Sequence, residues 1–77
     1  GVLYEAPIDN HVQEIINYIM ETKSDLDLGE VSRYRRQVVN GYNHYFEFSK
    51  YGRPPMSVTV YEDTDGNLEI TSIGILE

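Results

Sequence analysis

Apolar side chains recur at Val12, Ile15, Ile16, Ile19 and Met20, the spacing i, i+3, i+4, i+7, i+8. That pattern aligns them as one stripe of an α-helix. Gln13, Glu14, Asn17 and Glu21 take the opposite face, so an amphipathic helix is predicted over about residues 10 to 23. Pro7 discourages helix before it, and Asp9 or Asn10 offers the side-chain oxygen of an N-cap. Ser24 to Gly29 reads as the exit loop.

From Glu30 onward the period changes from helical to alternating. Val31 to Val39 is predicted to be a strand, rich in β-branched residues toward its end. Asn40-Gly41 then signals a hairpin, read as a type I′ turn with positive φ at both positions. Tyr42 to Ser49 returns, with His44, Phe46 and Phe48 on one face and Asn43, Tyr45 and Glu47 on the other. Gly52, Pro54 and Pro55 end that strand. Met56, Val58 and Val60 alternate with Ser57, Thr59 and Tyr61, and Asp65-Gly66 signals a second hairpin, either type I′ or bulged. Leu68 to Ile75 closes the series, with Leu68, Ile70 and Ser72 opposite Glu69, Thr71 and Ile73. The prediction is an α+β fold: one N-terminal helix packed on a curved antiparallel sheet of four to five strands, the fifth a short piece at residues 2–5. One helix cannot cover both faces of such a sheet, so one face stays polar.

Composition narrows the class. Seventy-seven residues, 40% hydrophobic and 25% charged, make a single domain over residues 1–77. There is no cysteine, which leans toward a reducing compartment. A cytoplasmic location is therefore expected, with secretion after removal of a leader as the alternative, since the chain begins at Gly1 and not Met. No apolar run approaches a membrane span, so no membrane partner is expected. The formal charge of −7 argues against nucleic acid as a partner. Arg33, Arg35 and Arg36 bracket Tyr34, but strand alternation sends Arg33 and Arg35 to one face and Arg36 to the other. They read as a solvated, partly ion-paired strand.

Catalytic chemistry finds no footing. Thiol nucleophiles are excluded by the absence of cysteine. His11 and His44 fall in different elements without ligand spacing, and read as ordinary surface or half-buried residues rather than a metal pair. Asp63 to Glu69 has a faint calcium-loop character, but Tyr61 and Ser72 would occupy its first and last ligand positions, and both fail. Tyr42, Tyr45, Tyr51 and Tyr61 sit in or beside predicted strands, where aromatic packing explains them without sugar or base stacking. The expectation is a protein that is not an enzyme and needs no cofactor or metal.

One segment points to a function. Gln37-Val-Val-Asn-Gly-Tyr-Asn-His-Tyr-Phe-Glu-Phe48 resembles the signature of cystatins, in which a Gln-x-Val-x-Gly hairpin precedes an Asn-x-Tyr strand. Gln37, Val39 and Gly41 occupy the defining positions, and Asn43 and Tyr45 continue the pattern. Pro7 and the Gln13-Glu14-Ile15 run keep the spacing to Gly1 seen in stefins, the disulfide-free type 1 branch, which this chain resembles most. Three departures stand out: a shorter stretch between helix and motif strand, no proline in the second hairpin from Glu62 to Asn67, and nothing preceding Gly1.

The resemblance implies a reversible, occluding inhibitor of papain-like, cathepsin-type cysteine proteases. In the family a wedge of three parts fills the protease cleft. Here these would be the trunk Gly1, Val2 and Leu3, the first hairpin Gln37, Val38, Val39, Asn40 and Gly41, and the second hairpin Asp63, Thr64 and Asp65. Val38 and Val39 are stiff at χ1 and lose little entropy on docking. Gln37 would hydrogen-bond the cleft or pin the hairpin. The alternatives are a non-inhibitory binding module on the same fold, or an inhibitory propeptide or appendage of a larger protein. A monomer is expected, with a domain-swapped dimer as the alternative. Asn40, tolerant of left-handed geometry, is expected to relieve strain at that hinge.

Overall fold

A computed structural model describes residues 1–76. Strand β1 (Tyr4–Glu5) precedes helix α1 (Asn10–Thr22), and a 3₁₀ turn (Ser24–Leu26) leads to β2 (Glu30–Val39). Strands β3 (Gly41–Ser49), β4 (Met56–Glu62) and β5 (Leu68–Ile75) follow. The sheet is open, ordered β1-β2-β3-β4-β5, and every neighbouring pair is antiparallel. This is the α+β class expected, one helix on a five-stranded antiparallel sheet.

Helix α1 begins where the sequence places its cap. Asp9 has extended backbone (φ −88°, ψ −173°) and its carboxylate accepts the Val12 N–H at 2.9 Å, satisfying one of the free donors of the first turn. That contact holds the Asp9 carboxyl below its ordinary value. The helix closes at Lys23, whose N–H reaches the Ile19 carbonyl. Val12, Ile15, Ile16 and Ile19 are buried against Tyr34, Phe46, Phe48, Val58 and Val60 of the sheet. Each such aliphatic side chain contributes about 1.5–3 kcal/mol, so this single layer of contacts is the core of the fold.

Two β-bulges change the pattern predicted from simple alternation. In β5, Thr59 pairs with Ser72 but Val60 pairs with Ile70, leaving Thr71 as the extra residue. The insertion shifts the phase by one. Leu68, Ile70 and Ile73 therefore pack against the core, while Ser72 is exposed. The expectation that Ser72 shares a face with Leu68 and Ile70, opposite Ile73, is corrected by that bulge. In β2, Ser32 is the extra residue between Val31 and Arg33, which lets Val31 and Tyr34 both contribute to the core.

The opposite face of the sheet is polar, as expected. Arg33 donates to the Glu5 carboxylate at 3.0 Å, and Arg35 lies 4.8 Å over the Tyr45 ring. Arg36 leaves on the other side, toward Tyr34 and Tyr42. No helix among the described residues is long and apolar enough to cross a membrane.

Candidate functional site

Antiparallel pairing brings both hairpins to one end of the sheet. Val39 and Gly41 are register partners, so Asn40 alone forms the tip between β2 and β3. The reversal is absorbed by Gly41 at φ 105°, and Asp27 is the sole non-glycine residue with positive φ among those described. The type I′ reading of Asn40-Gly41, and the left-handed role expected of Asn40, are thereby corrected. A turn one residue long places its whole left-handed demand on the glycine. The Asn40 carbonyl instead accepts the Tyr61 hydroxyl at 2.5 Å, tying the tip to β4. Val38 and Val39 are left 54% and 40% exposed, an apolar tip with no partner in the fold.

The N-terminal trunk lies beside that tip. Tyr4 pairs with Arg36, so the residues before it run along Gln37 and Val38. The Gln37 amide donates to the Gly1 carbonyl at 2.7 Å and accepts from the Asn43 amide at 2.9 Å. A Cβ on Gly1 would stand 2.9 Å from the Val38 carbonyl, which shows how closely the trunk packs on the hairpin. Val2 and Leu3 are exposed. Of the two roles open to Gln37, the fold displays the pinning one.

The second hairpin is adjacent. Gly66 donates to the Asp63 carbonyl at 3.1 Å and Asp63 donates to the Asn67 carbonyl at 3.0 Å. With Gly66 at φ 87°, this is a type I turn closed by a glycine bulge; the alternative of a second type I′ turn is set aside. The Asp63 carboxylate accepts the N–H groups of Asp65 and Asn67, each at 2.9 Å, and the Asn67 side-chain amide at 3.1 Å. The Asn67 backbone N–H above all holds its carboxyl below the ordinary value. Asp63 is thus a strut of its own loop, and Thr64 and Asp65 form the exposed tip. Between the two hairpins runs an open groove of about 650 Å³, walled by Val38 and Val39 on one side and Thr64 and Asp65 on the other.

Beneath the hairpins lies a polar chain that reading the sequence missed. The Arg36 guanidinium lies 2.9 Å from the Tyr34 hydroxyl, which is 2.7 Å from His44 Nδ1. His44 Nε2 and His11 Nε2 each lie 2.8 Å from a different oxygen of Glu62. The Glu62 carboxylate only accepts, so the neutral His44 carries its proton on Nε2 and donates it there; Nδ1 then accepts the Tyr34 hydroxyl proton, while the Tyr34 oxygen accepts from Arg36. Tyr34, His44 and Glu62 are all buried, at 3%, 1% and 7% exposure. Burial pushes the His44 imidazole below its ordinary value; its bond to Glu62 opposes this, and Arg36 and His11 reinforce it. Burial likewise raises the Tyr34 phenol, with Arg36 pulling the other way. The reading of both histidines as surface or half-buried is corrected for His44, which is fully buried, and Glu62 joins it to the exposed His11. The signal was present, since Glu62 follows Val58 and Val60 in phase and His44 precedes Phe46 and Phe48. Among the described residues, no group of three or more His, Cys, Asp or Glu side chains is arranged to hold a metal ion.

All the residues expected at the site therefore fall at one edge: Gly1, Val2 and Leu3, then Gln37 to Gly41, then Asp63 to Asp65. No protein-family model and no curated protein matches the chain.

Proposed function

We propose that this chain is a reversible inhibitor of papain-like cysteine proteases that works by occlusion. The observation that carries the reading is the exposed Val38-Val39 tip, flanked at one end of the sheet by the trunk and the second hairpin. A narrow apolar ridge is suited to filling a cleft. Its backbone at Val39-Asn40-Gly41 is held by the Tyr61 hydroxyl and by Gly41 packed on β4, so little freedom is lost on docking. Inhibition by such a ridge needs no chemistry from the inhibitor, and the cystatin-like Gln-x-Val-x-Gly segment supplies the same assignment from sequence.

Titration of papain with the purified chain tests the reading directly. Saturable, reversible loss of activity is expected. Val38→Asp, at an exposed position outside the core, is expected to raise the inhibition constant about 10- to 100-fold, the equivalent of one valine burial. Failure of the unaltered protein to inhibit at micromolar concentration would discard the proposal.

A second reading, a non-inhibitory binding module, is favoured by one feature. The exposed tip of the second hairpin carries Asp65 where a cleft-filling loop would be apolar, and an unpaired carboxylate is costly to desolvate. If Asp65→Ala leaves the inhibition constant unchanged, that loop touches only the rim. Recovery of a specific non-protease partner alongside inert papain assays would establish the module.

A further inference from the structure

Glu62 closes β4 where the two hairpins meet, and its backbone and side chain serve different neighbours. Its carbonyl stands 2.2 Å from where a Cβ of Gly41 would be, so the first hairpin rests directly on it. The next residue, Asp63, begins the second hairpin. The Glu62 carboxylate turns inward and is shared by His11 of α1 and His44 of β3, each at 2.8 Å. One residue thus touches the helix start, the central strand and both loops.

We propose that Glu62 is a positioning residue of the occluding edge: its carboxylate, gripped by His11 and His44, fixes the spacing of the two hairpins and loosens that spacing when the buried His44 takes up a proton. Its functional meaning rests on the inhibitory reading above; its geometry does not.

The proton dependence follows from the donor order. A protonated His44 carries N–H on both nitrogens. Its Nδ1–H would then face a Tyr34 hydroxyl that already accepts from Arg36, and the Tyr34 proton would have to leave the His44 line inside a buried site. Among the surrounding groups Glu62 favours the cation, Arg36 and His11 oppose it, and burial outweighs Glu62. From β2 the ring faces Arg36 and Tyr34, from α1 His11 with Asp9 nearby, from β3 the Tyr42 ring at 5.9 Å, and from β4 Glu62. Tyr4 of β1 sits behind Arg36 and Tyr34. Glu69 of β5 is exposed and pairs with Tyr61, on the other face of the sheet. A charged ring can no longer accept the Tyr34 proton at Nδ1, and burial disfavours it as a cation, so acidification unsettles the seat of the ring against Glu62.

Two measurements decide the matter. In the free protein, amide resonances of Val38 to Gly41 and of Asp63 to Gly66 are followed by NMR between about pH 7.5 and pH 5, together with the imidazole signals. Both hairpins are expected to move with the midpoint of His44, and this shared transition is expected to vanish in Glu62→Gln. Hairpins indifferent to the imidazoles, or an unchanged transition in the variant, overturn the proposal. Against papain, the ratio of the Glu62→Gln to the wild-type inhibition constant cancels the protease's own pH profile. That ratio is expected to be roughly tenfold near pH 7, as for one or two charge-assisted hydrogen bonds, and to fall toward one near pH 5. A ratio independent of pH overturns the proton-linked part, because a merely structural role would give it. If the wild type inhibits at no pH, the inhibitory reading fails and the NMR comparison alone decides the positioning. If Glu62→Gln does not fold, His11→Gln takes its place, since His11 is exposed. It is expected to shift the midpoint of the hairpin transition, and an unshifted midpoint overturns the proposal.

Discussion

Gly41 combines two demands that no other residue type meets. Its φ of 105° lies in the region that favours glycine, and an added Cβ would fall 2.2 Å from the Glu62 carbonyl and 3.1 Å from the Asp63 Cα. Gly41→Ala is expected to destabilise the fold by about 1–3 kcal/mol, read by urea unfolding, because neither the backbone nor the facing carbonyl can yield cheaply. His44 makes a prediction in pH. Its folded-state value lies below the ordinary imidazole value near 6.5, so the unfolded chain binds the extra proton first. Stability conferred by the neutral ring is intact above about pH 6.5, falls as pH drops below it, and levels off beneath the folded-state value. His44→Gln is expected to flatten that limb in thermal melts taken from pH 7.5 downward. Asp9→Ala, removing the cap of α1, is expected to lower the melting temperature by about 5 °C.

Among the elements, the trunk and the first hairpin are coupled through one side chain. Gln37 bridges the Gly1 carbonyl and the Asn43 amide, so removing the trunk and removing the Gln37 amide should not be additive. Deletion of Gly1, Val2 and Leu3 and the change Gln37→Ala, combined in a double-mutant cycle on the inhibition constant, are expected to show a coupling of about 1 kcal/mol. Additive effects would mean that Gln37 acts on the partner directly. The elements themselves were legible from periodicity: α1 at Asn10–Thr22, the strand order and the faces of β3 all follow from apolar spacing. What periodicity could not supply is what breaks it. Bulges at Ser32 and Thr71 shift the phase of β2 and β5 through cross-strand register, a property of two strands that neither segment carries alone. The one-residue tip at Asn40 is likewise set by Tyr61 and Glu62, about twenty positions away.

For the whole molecule, the arrangement of the site was more legible than its support. A helix-first antiparallel meander necessarily turns β2–β3 and β4–β5 at the same end, so the apolar pair Val38-Val39 and the acidic tip were bound to be neighbours. The chain Arg36–Tyr34–His44–Glu62–His11 was not foreseeable in the same way. It joins α1, β2, β3 and β4, and needs the helix laid across the sheet before His11 can meet Glu62. Buried polar chains of this kind raise the cost of any alternative packing, because each member left unpaired is destabilising. With a formal charge of −7, the molecule as a whole also repels acidic surfaces, and association with a basic rim is expected to slow as salt is raised.

The contact between Gly41 and the Glu62 carbonyl separates the edge into frame and cargo. Gly41, Asn43, Glu62 and Asp63 are committed to hydrogen bonds or close approach within the fold, whereas the exposed side chains of Val38, Val39, Thr64 and Asp65 project from it. A combinatorial library randomised at those last four positions would keep two loops at constant pitch while their chemistry varied. The domain would then serve as a disulfide-free display scaffold, retargeted by changing only what it presents.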